Sequence, residues 1–254
     1  MHRQRVTDSS TQEGSWAFLH QGSPEEFIEA LCVDAMKHQA VHHPYLQRLA
    51  DGDFRDMPSA IRDFCHQYYF YSADFTSYLE AVIGGLSSAI HRDVLRKNLE
   101  GEKGDDPANP EGIPHTELFK RFRQAAGVTP EYDAKTSPCT TVIVWRDLFL
   151  QKCKSRQPGV GLAAIGLGTE MIVSTIYGYL HQAVTKHTDL KPEDYLFLSL
   201  HLECDDEHAA ALKGISLELA EDLNHREALR FGVLSSLNLR SAYWDVMLAR
   251  AIVG

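Results

Sequence analysis

Residues 162–177 read LAAIGLGTEMIVSTIY, and Glu170 is the only charged side chain in this apolar run. Apolar residues cover nearly all sides of the helix that this stretch would form, which is typical of a helix buried on every side. The sequence therefore predicts an all-α helical bundle around this segment. A buried carboxylate is costly unless it is paired, protonated or bound to a metal, so Glu170 is a candidate functional residue. The alternative is a Glu that reaches solvent through a gap in the packing.

The strongest local signal is the stretch 201–208, HLECDDEH. His201, Asp205 and His208 are spaced i, i+4 and i+7, so they share one face of a helix. Neutral nitrogen and anionic oxygen donors on one face suit iron, manganese or zinc. A solvated, acid-rich helix face is the alternative, and spacing alone does not exclude Cys204 as a donor.

A third signal joins Glu102 and His115 across the Pro- and Gly-rich stretch 103–114, which predicts a loop. Glu102 is expected to end one helix and His115 to begin the next, sharing an inward face with Leu118. Taken alone, both residues are ordinary helix-end residues. With the other two signals, they give carboxylates from three helices and histidines from two. Helical bundles hold two dioxygen-activating irons in this way. Iron suits these donors better than zinc, because oxygen donors prevail and no thiolate set exists.

Helical patterns extend over most of the chain. The predicted helices cover residues 23–40, 44–51, 58–100, 115–126, 141–154, 158–179, 191–219 and 221–252, the last in two pieces, with a break or kink at Gly84-Gly85. Residues 130–140 are expected to be irregular. The prediction is a single all-α domain of about seven or eight helices over residues 23–254, after a flexible arm over residues 1–22.

Composition excludes several classes of function. The chain has 254 residues, 44% apolar and 24% charged, which are ordinary globular values. Its 25 basic and 35 acidic residues give a net charge of −10 without a Lys/Arg cluster, which argues against binding nucleic acid or an anionic membrane. Five cysteines without CxxC spacing indicate reduced thiols. No apolar run of about 18–20 residues and no signal-peptide core are evident, so a cytoplasmic location is predicted.

Four stretches of the chain resemble the haem-oxygenase-like diiron oxidases and oxygenases, iron-containing redox enzymes that share a helical fold with pyrroloquinoline-quinone synthase and thiaminase-type proteins. The four stretches are HPYLQRLADG at 43–52, FCHQYYFYSADFTSYL at 64–79, the Asn98–Leu118 region, and Glu170 with the 201–208 motif, all in the family's order. The resemblance implies a haem-oxygenase-like fold. It also implies that the iron ligands are Glu102, His115, Glu170, His201, Asp205 and His208.

One position departs from the family pattern. The family usually places a further Glu two residues before the aromatic residue that Phe75 matches, and this sequence has Ala73 there. Asp74 is a candidate substitute, but its direction on a helix would differ by about 100°. The resemblance therefore leaves open whether both iron sites are filled. A haem site using His38, His42 or His43 is disfavoured, because it would leave the inward carboxylates unexplained.

The resemblance implies a non-haem enzyme that uses two Fe(II) ions and O2 as co-substrate. Its expected substrate is a small amino-acid-derived molecule or a fatty acid, and the expected reaction is N-oxygenation, C–C cleavage or desaturation in a natural-product pathway. An external electron donor and a homodimer are compatible with it.

Three alternatives stay open. One is a cofactorless oxidase of the quinone-synthase type, and another is a non-catalytic helical binding protein. The third is self-modification, as in a related branch that consumes its own tyrosine to make para-aminobenzoate. Tyr68, Tyr69 and Tyr71 lie near the predicted cavity, although core packing is their favoured role.

Overall fold

The computed structural model describes residues 21–105, 109, 111–157, 159–203 and 205–253, and the side chains of residues 203–208 lie outside that description. The flexible arm predicted for residues 1–22 lies almost wholly outside the described residues and stays a prediction. The assignment of residues 23–254 to a single domain also stays a prediction.

The described residues are helical throughout, and no strand occurs among them. In chain order the α-helices are α1 (Pro24–Lys37), α2 (Pro44–Asp51), α3 (Met57–Ser72), α4 (Phe75–Gly85), α5 (Ala89–Glu102), α6 (His115–Ala125), α7 (Pro130–Lys135), α8 (Thr140–Cys153), α9 (Val160–Ile165), α10 (Met171–His187), α11 (Leu196–Glu203), α12 (Asp205–Leu219) and α13 (Leu223–Val253). A π-helical segment, Gly166–Glu170, joins α9 to α10, and a 3-10 turn, Pro192–Tyr195, precedes α11. The all-α prediction is confirmed.

Several predicted boundaries were wrong. The helix expected over 158–179 continues to His187, and the stretch 191–219 begins with a 3-10 turn before α11. The stretch 58–100 is three helices, since the chain leaves helical geometry between α3 and α4 as well as after Gly85, where a break was expected. Residues expected to be irregular contain α7, whose first turn is capped by the Thr129 side chain accepting from the Tyr132 backbone N–H. The helix expected in two pieces is the unbroken 31-residue α13. The chain thus has more helical segments than the seven or eight predicted.

The predicted start of α1 is confirmed in detail. The Ser23 hydroxyl accepts from the Glu26 backbone N–H at 3.2 Å, and the Glu26 carboxylate accepts from the Ser23 N–H at 3.0 Å. This reciprocal pair is a capping box, which satisfies two backbone donors that the first helical turn leaves without partners. Pro24 at the first helical position adds to the same start signal.

The central run, Val160–His187, consists of α9, the π-helical segment and α10. Every residue of α9 and of the π-helical segment is buried, as the apolar pattern predicted. By length and composition this run could cross a membrane, contrary to the expectation that no apolar stretch was long enough. However, 83% of its most apolar window is buried inside the protein, as expected for the core helix of a bundle.

Helix α13 packs along the central run and also contacts α1, α2, α3 and α8. Gly168 lies where α13 meets the π-helical segment, and a Cβ atom there would collide with the Ser236 hydroxyl. The absence of a side chain at Gly168 therefore lets the two helices approach closely. Helix α12 also packs against the π-helical segment, with Leu212 against Gly166.

Candidate metal centre

Four of the six predicted ligands belong to described side chains, and all four line one internal cavity. They are Glu102, His115, Glu170 and His201, with exposed fractions of 6%, 5%, 4% and 8%. They come from four different segments: α5, α6, the π-helical segment and α11. Residues far apart in sequence are thus brought together away from solvent.

Glu102 is the last residue of α5 and His115 the first residue of α6, as predicted. The two residues meet because the connecting chain closes on itself at Gly104, which has a φ of +105° and lies against the Gly112 carbonyl. A side chain at Gly104 would be strained by this φ and would collide with that carbonyl. The Glu102 carboxylate oxygen Oε2 lies 3.3 Å from the Nδ1 atom of His115.

His201 completes a three-residue cluster with this pair. One donor atom from each of Glu102, His115 and His201 lies within 4.8 Å of the other two. The ring centroids of His115 and His201 are 4.7 Å apart. This spacing allows the three side chains to share one metal ion after small movements.

A backbone hydrogen bond sets the tautomer of His201. Its Nδ1 atom lies 2.7 Å from the Phe197 carbonyl oxygen, which can only accept a hydrogen bond. The proton of the neutral ring is therefore on Nδ1, and the lone pair is on Nε2. Metal-binding histidines are commonly oriented by a bond of this kind. The Tyr177 ring, edge-on at 5.0 Å, and the Phe197 ring at 4.4 Å further fix the imidazole.

Glu170 ends the π-helical segment and is the most unusual group of the site. Its Oε1 atom is buried without a hydrogen-bond partner among the described residues. Burial raises its pKa to about 8, the nearby Glu102 carboxylate adds to the rise, and His115 and Arg240 oppose it. Glu170 lies outside the three-residue cluster but lines the same cavity, so a cation bound at the cluster would help to compensate this carboxylate. The cluster itself offers one carboxylate and two imidazoles, a donor set that fits a divalent metal.

The remaining predicted ligand positions divide into two groups. The Asp205 and His208 side chains lie outside the described residues, as does Cys204. Ala73 lines the cavity, so the family's further Glu has no counterpart at that position. Asp74 is not among the lining residues, and its Oδ2 atom lies 4.0 Å from the Nε atom of Arg146.

Sequence reasoning missed several residues around the cavity. Tyr177 and Thr169 line it, and the buried Arg240 lies within 3.5 Å of the Thr169 hydroxyl. Two glycines inside an apolar helix, Gly166 and Gly168, were the available sign of the π-helical segment. No comparable sign marked Arg240, because nothing in the pattern of α13 distinguishes it from a surface residue.

The fold and the donor set together define a class of protein: an all-helical protein with a buried oxygen- and nitrogen-donor site of the kind that suits iron. None of the described thiols, Cys32, Cys65, Cys139 and Cys153, belongs to the cluster. Residues 62–241 match the model of a family described as iron-containing redox enzymes. The chain belongs to this family and is an oxidoreductase, so the resemblance read from the sequence is confirmed.

Curated relatives cover most of the chain. The 4-aminobenzoate synthase of Chlamydia trachomatis is 24% identical over 197 residues, which are 77% of this chain and 81% of that protein. The 4-aminobenzoate synthase of Chlamydia muridarum is 22% identical over 196 residues, 77% of this chain and 80% of that protein.

Solved structures confirm the fold. A CADD-like protein of unknown function from Nostoc punctiforme has a TM-score of 0.68 at 16% identity, covering 94% of this chain and 96% of its own. A TenA homolog from Pseudomonas syringae pv. tomato has a TM-score of 0.67 at 14% identity, and the match covers 87% of this chain and 91% of that protein. A domain from Shewanella denitrificans is described as having a haem-oxygenase-like fold. Its TM-score is 0.63 at 14% identity, and the match covers 96% of this chain and 94% of that domain.

Proposed function

We propose that this chain is a non-haem diiron enzyme that uses O2 to oxidise a small amino-acid-derived substrate. The proposed iron ligands are Glu102, His115, Glu170, His201, Asp205 and His208. The observation that carries the proposal is the convergence of four buried donors from four segments on one cavity. Helix α12, in which Asp205 and His208 lie, packs against the π-helical segment that carries Glu170.

Iron(II), when bound, supplies the electrons with which dioxygen is reduced at the site. The chain's own residues do the rest. The Phe197 carbonyl holds His201 in the tautomer that can bind a metal through Nε2. Glu170 keeps a proton at neutral pH when no cation is near, since its pKa is about 8, and would lose this proton to solvent when a metal binds. Aromatic walls, including Phe119 and Tyr177, exclude water.

The number of iron ions is part of the proposal. Two ions need more donors than Glu102, His115 and His201 offer, and Glu170, Asp205 and His208 would supply them. Ala73 leaves one wall of the cavity without a carboxylate, so the second ion would be held by fewer protein donors than the first. We expect the two ions to differ in affinity for this reason.

Metal analysis tests the proposal. The full chain is loaded with Fe(II) without oxygen, passed over a desalting column and assayed for iron per chain. We expect about two ions in the wild type and a loss of at least one in His201→Ala. His42→Ala is the matched control, because His42 is exposed and is not among the residues that line the cavity.

Oxygen is then added to the loaded protein with a panel of amino acids, amines and fatty acids, and O2 uptake is recorded. Uptake that depends on one of these compounds and is lost in His201→Ala supports the enzyme. A chain that retains no iron contradicts the proposal and favours the cofactorless or non-catalytic alternative.

Self-modification is a second candidate, and two observations favour it. Two curated relatives are 4-aminobenzoate synthases, and Tyr68, Tyr69 and Tyr71 all line the cavity of this chain. Intact mass of the iron-loaded protein before and after exposure to O2 distinguishes it. A mass loss that maps to one of these tyrosines supports it, and an unchanged mass in a chain that consumes O2 contradicts it.

A further inference from the structure

A surface groove between α1 and α12 is separate from the candidate metal cavity, and the two share no lining residue. The groove has a volume of about 990 Å³, and small residues keep it open. Ala30 lines it on α1, and Ala210 and Gly214 line it on α12. A Cβ atom added to Gly214 would meet no neighbouring atom within 4 Å. The two helices thus leave a space between them that is large enough for a segment of chain.

Apolar and acidic side chains line this groove. Ile28, Val33 and Leu217 are among the apolar ones, and Val33 is 39% exposed. The acidic ones are Glu25, Glu26, Glu29 and Asp34. The lining also contains Lys213, but its ammonium pairs with the Glu29 carboxylate at 3.0 Å, so the groove keeps an excess of negative charge. A segment with apolar side chains and positive charge would complement this surface.

Residues 1–20 join the described part of the chain at one end of this groove. The Gly22 carbonyl accepts from Arg226 at 2.7 Å, and Ser23 caps α1 two residues before the groove residue Glu25. Twenty residues can extend over roughly 65 Å, whereas a helix of the length of α1 spans only about 21 Å. Residues 1–20 are therefore long enough to run back along the whole groove.

The sequence of residues 1–20 offers both kinds of group that the groove would bind. Trp16, Phe18 and Leu19 precede Ser23 by seven residues or fewer, so at about 3.3 Å per residue they can reach the middle of α1. The charged residues of the stretch are Arg3, Arg5, Asp8 and Glu13. Its first five residues are therefore basic, and this basic end complements the carboxylates along the groove.

We propose that residues 1–20 dock into the groove between α1 and α12 of their own chain, with Trp16, Phe18 and Leu19 against its apolar side chains. A tethered segment has an effective concentration of about a millimolar, so an intrinsic dissociation constant of about 0.1 mM would leave only about a tenth of the segments undocked. Docking would also support α12, on which the proposed ligands Asp205 and His208 lie. An effect on iron rests on the proposed function, whereas docking can be measured without metal.

Trp16 reports on docking, because the other two tryptophans, Trp145 and Trp244, are only 1% and 0% exposed. Acrylamide quenching of fluorescence is measured on the metal-free full chain, and the signal of Trp16→Phe is subtracted to isolate that of Trp16. A synthetic peptide of residues 1–20 gives the quenching constant of an accessible Trp16. We expect the quenching constant in the full chain to be at least about fivefold lower than in the peptide.

Gly214→Gln should raise the quenching constant of Trp16, because the new side chain occupies the groove. A tenfold loss of docking affinity would raise the undocked fraction, and with it the quenching constant, by about fivefold. Gly178→Gln is the matched control: nothing lies within 4 Å of its added Cβ either, and it does not line the groove. It should keep the wild-type quenching constant. Both substitutions favour a helix, so both variants should fold.

Equal quenching of Trp16 in the full chain and in the peptide overturns the proposal and requires no variant to fold. An unchanged quenching constant in Gly214→Gln also overturns it, since Trp16 is then shielded elsewhere. Sedimentation at the same concentrations identifies a third outcome: a dimer that Gly214→Gln dissociates means that a second copy covers the groove, which contradicts docking within one chain. None of these measurements involves iron, so failure of the proposed function leaves their outcome unchanged.

Discussion

At the residue scale, Glu170 accounts for much of what is unusual in this protein. A carboxylate with a buried oxygen and no hydrogen-bond partner in the described part of the chain destabilises the metal-free fold. The same feature favours a cation, which the neighbouring Glu102 and His115 would help to hold. The free energy by which this carboxylate destabilises the metal-free fold would be recovered when a metal binds, and it would then add to the metal affinity.

The burial of Glu170 predicts that the free energy of unfolding of the metal-free protein depends on pH. The pKa of Glu170 rises from 4.5 to about 8 on folding, so the folded state binds more protons than the unfolded state between these values. The free energy of unfolding should therefore fall as pH rises from about 5 to 8, by up to about 1.4 kcal/mol per pH unit from this group.

Urea unfolding at several pH values, with a chelator present, measures this dependence. Glu170→Gln cannot ionise, so it should flatten the slope and be more stable than wild type at pH 8. Glu193→Gln, at an exposed position, should retain the wild-type slope. An unchanged slope in Glu170→Gln would show that another group causes the dependence.

At the element scale, the π-helical segment determines where Glu170 points. One extra residue in a helical turn shifts every later side chain around the axis, and such segments are common at functional sites. Here the segment lies between α9 and α10 and is pressed against α13 at Gly168. Packing against α13 therefore supports the direction of the Glu170 side chain.

Gly168→Ala should destabilise the protein by about 1 kcal/mol, because its new methyl group displaces the Ser236 hydroxyl from its buried hydrogen bond to the Val233 carbonyl. Iron per chain should fall with it, since Glu170 is displaced. Gly178→Ala is the matched control: nothing lies within 4 Å of its added Cβ, and alanine favours a helix over glycine by up to about 1 kcal/mol. If Gly168→Ala is as stable as Gly178→Ala, the close approach of Gly168 to Ser236 does not limit the packing.

Helix α1 gives a test that is independent of the site. Ser23→Ala removes one half of the capping box, so the free energy of unfolding should fall by about 1 kcal/mol while iron binding stays unchanged. Ser77→Ala, at an exposed position inside α4, should change stability by less than about 0.5 kcal/mol. Denaturant unfolding of both variants measures the difference.

At the scale of the whole molecule, the site joins segments distributed along the central and flanking helices. Binding of Fe(II) should therefore stabilise the fold globally. At a free metal concentration of about 100 times the dissociation constant, the gain is about 2.7 kcal/mol. For a chain of this size that corresponds to a rise in Tm of roughly 5–10 °C.

Anaerobic thermal unfolding with and without Fe(II) measures this shift. His201→Ala should lose most of it, whereas His42→Ala should retain it. An equal rise in His201→Ala would indicate that Fe(II) binds elsewhere.

The sequence predicted the whole-molecule features that depend on periodicity. The all-α fold, the buried central run and the helix ends at Glu102 and His115 are confirmed because apolar spacing and Pro/Gly positions encode them directly. The π-helical segment was missed, since it keeps the apolar pattern and changes only the hydrogen-bond register. Arg240 was missed because its surroundings come from α3, α8 and the central run, which no local pattern on α13 reveals.

Helix α13 has a consequence for how the chain acquires its native state in the cell. It is 31 residues long, and its buried Tyr243, Trp244 and Met247 pack with residues from much earlier in the sequence. While a ribosome is still adding residues 223–253, the earlier helices expose the apolar surfaces that these side chains later cover. Closure of the interior must therefore wait until this segment has left the exit tunnel, and until then the uncovered apolar surfaces are open to aggregation.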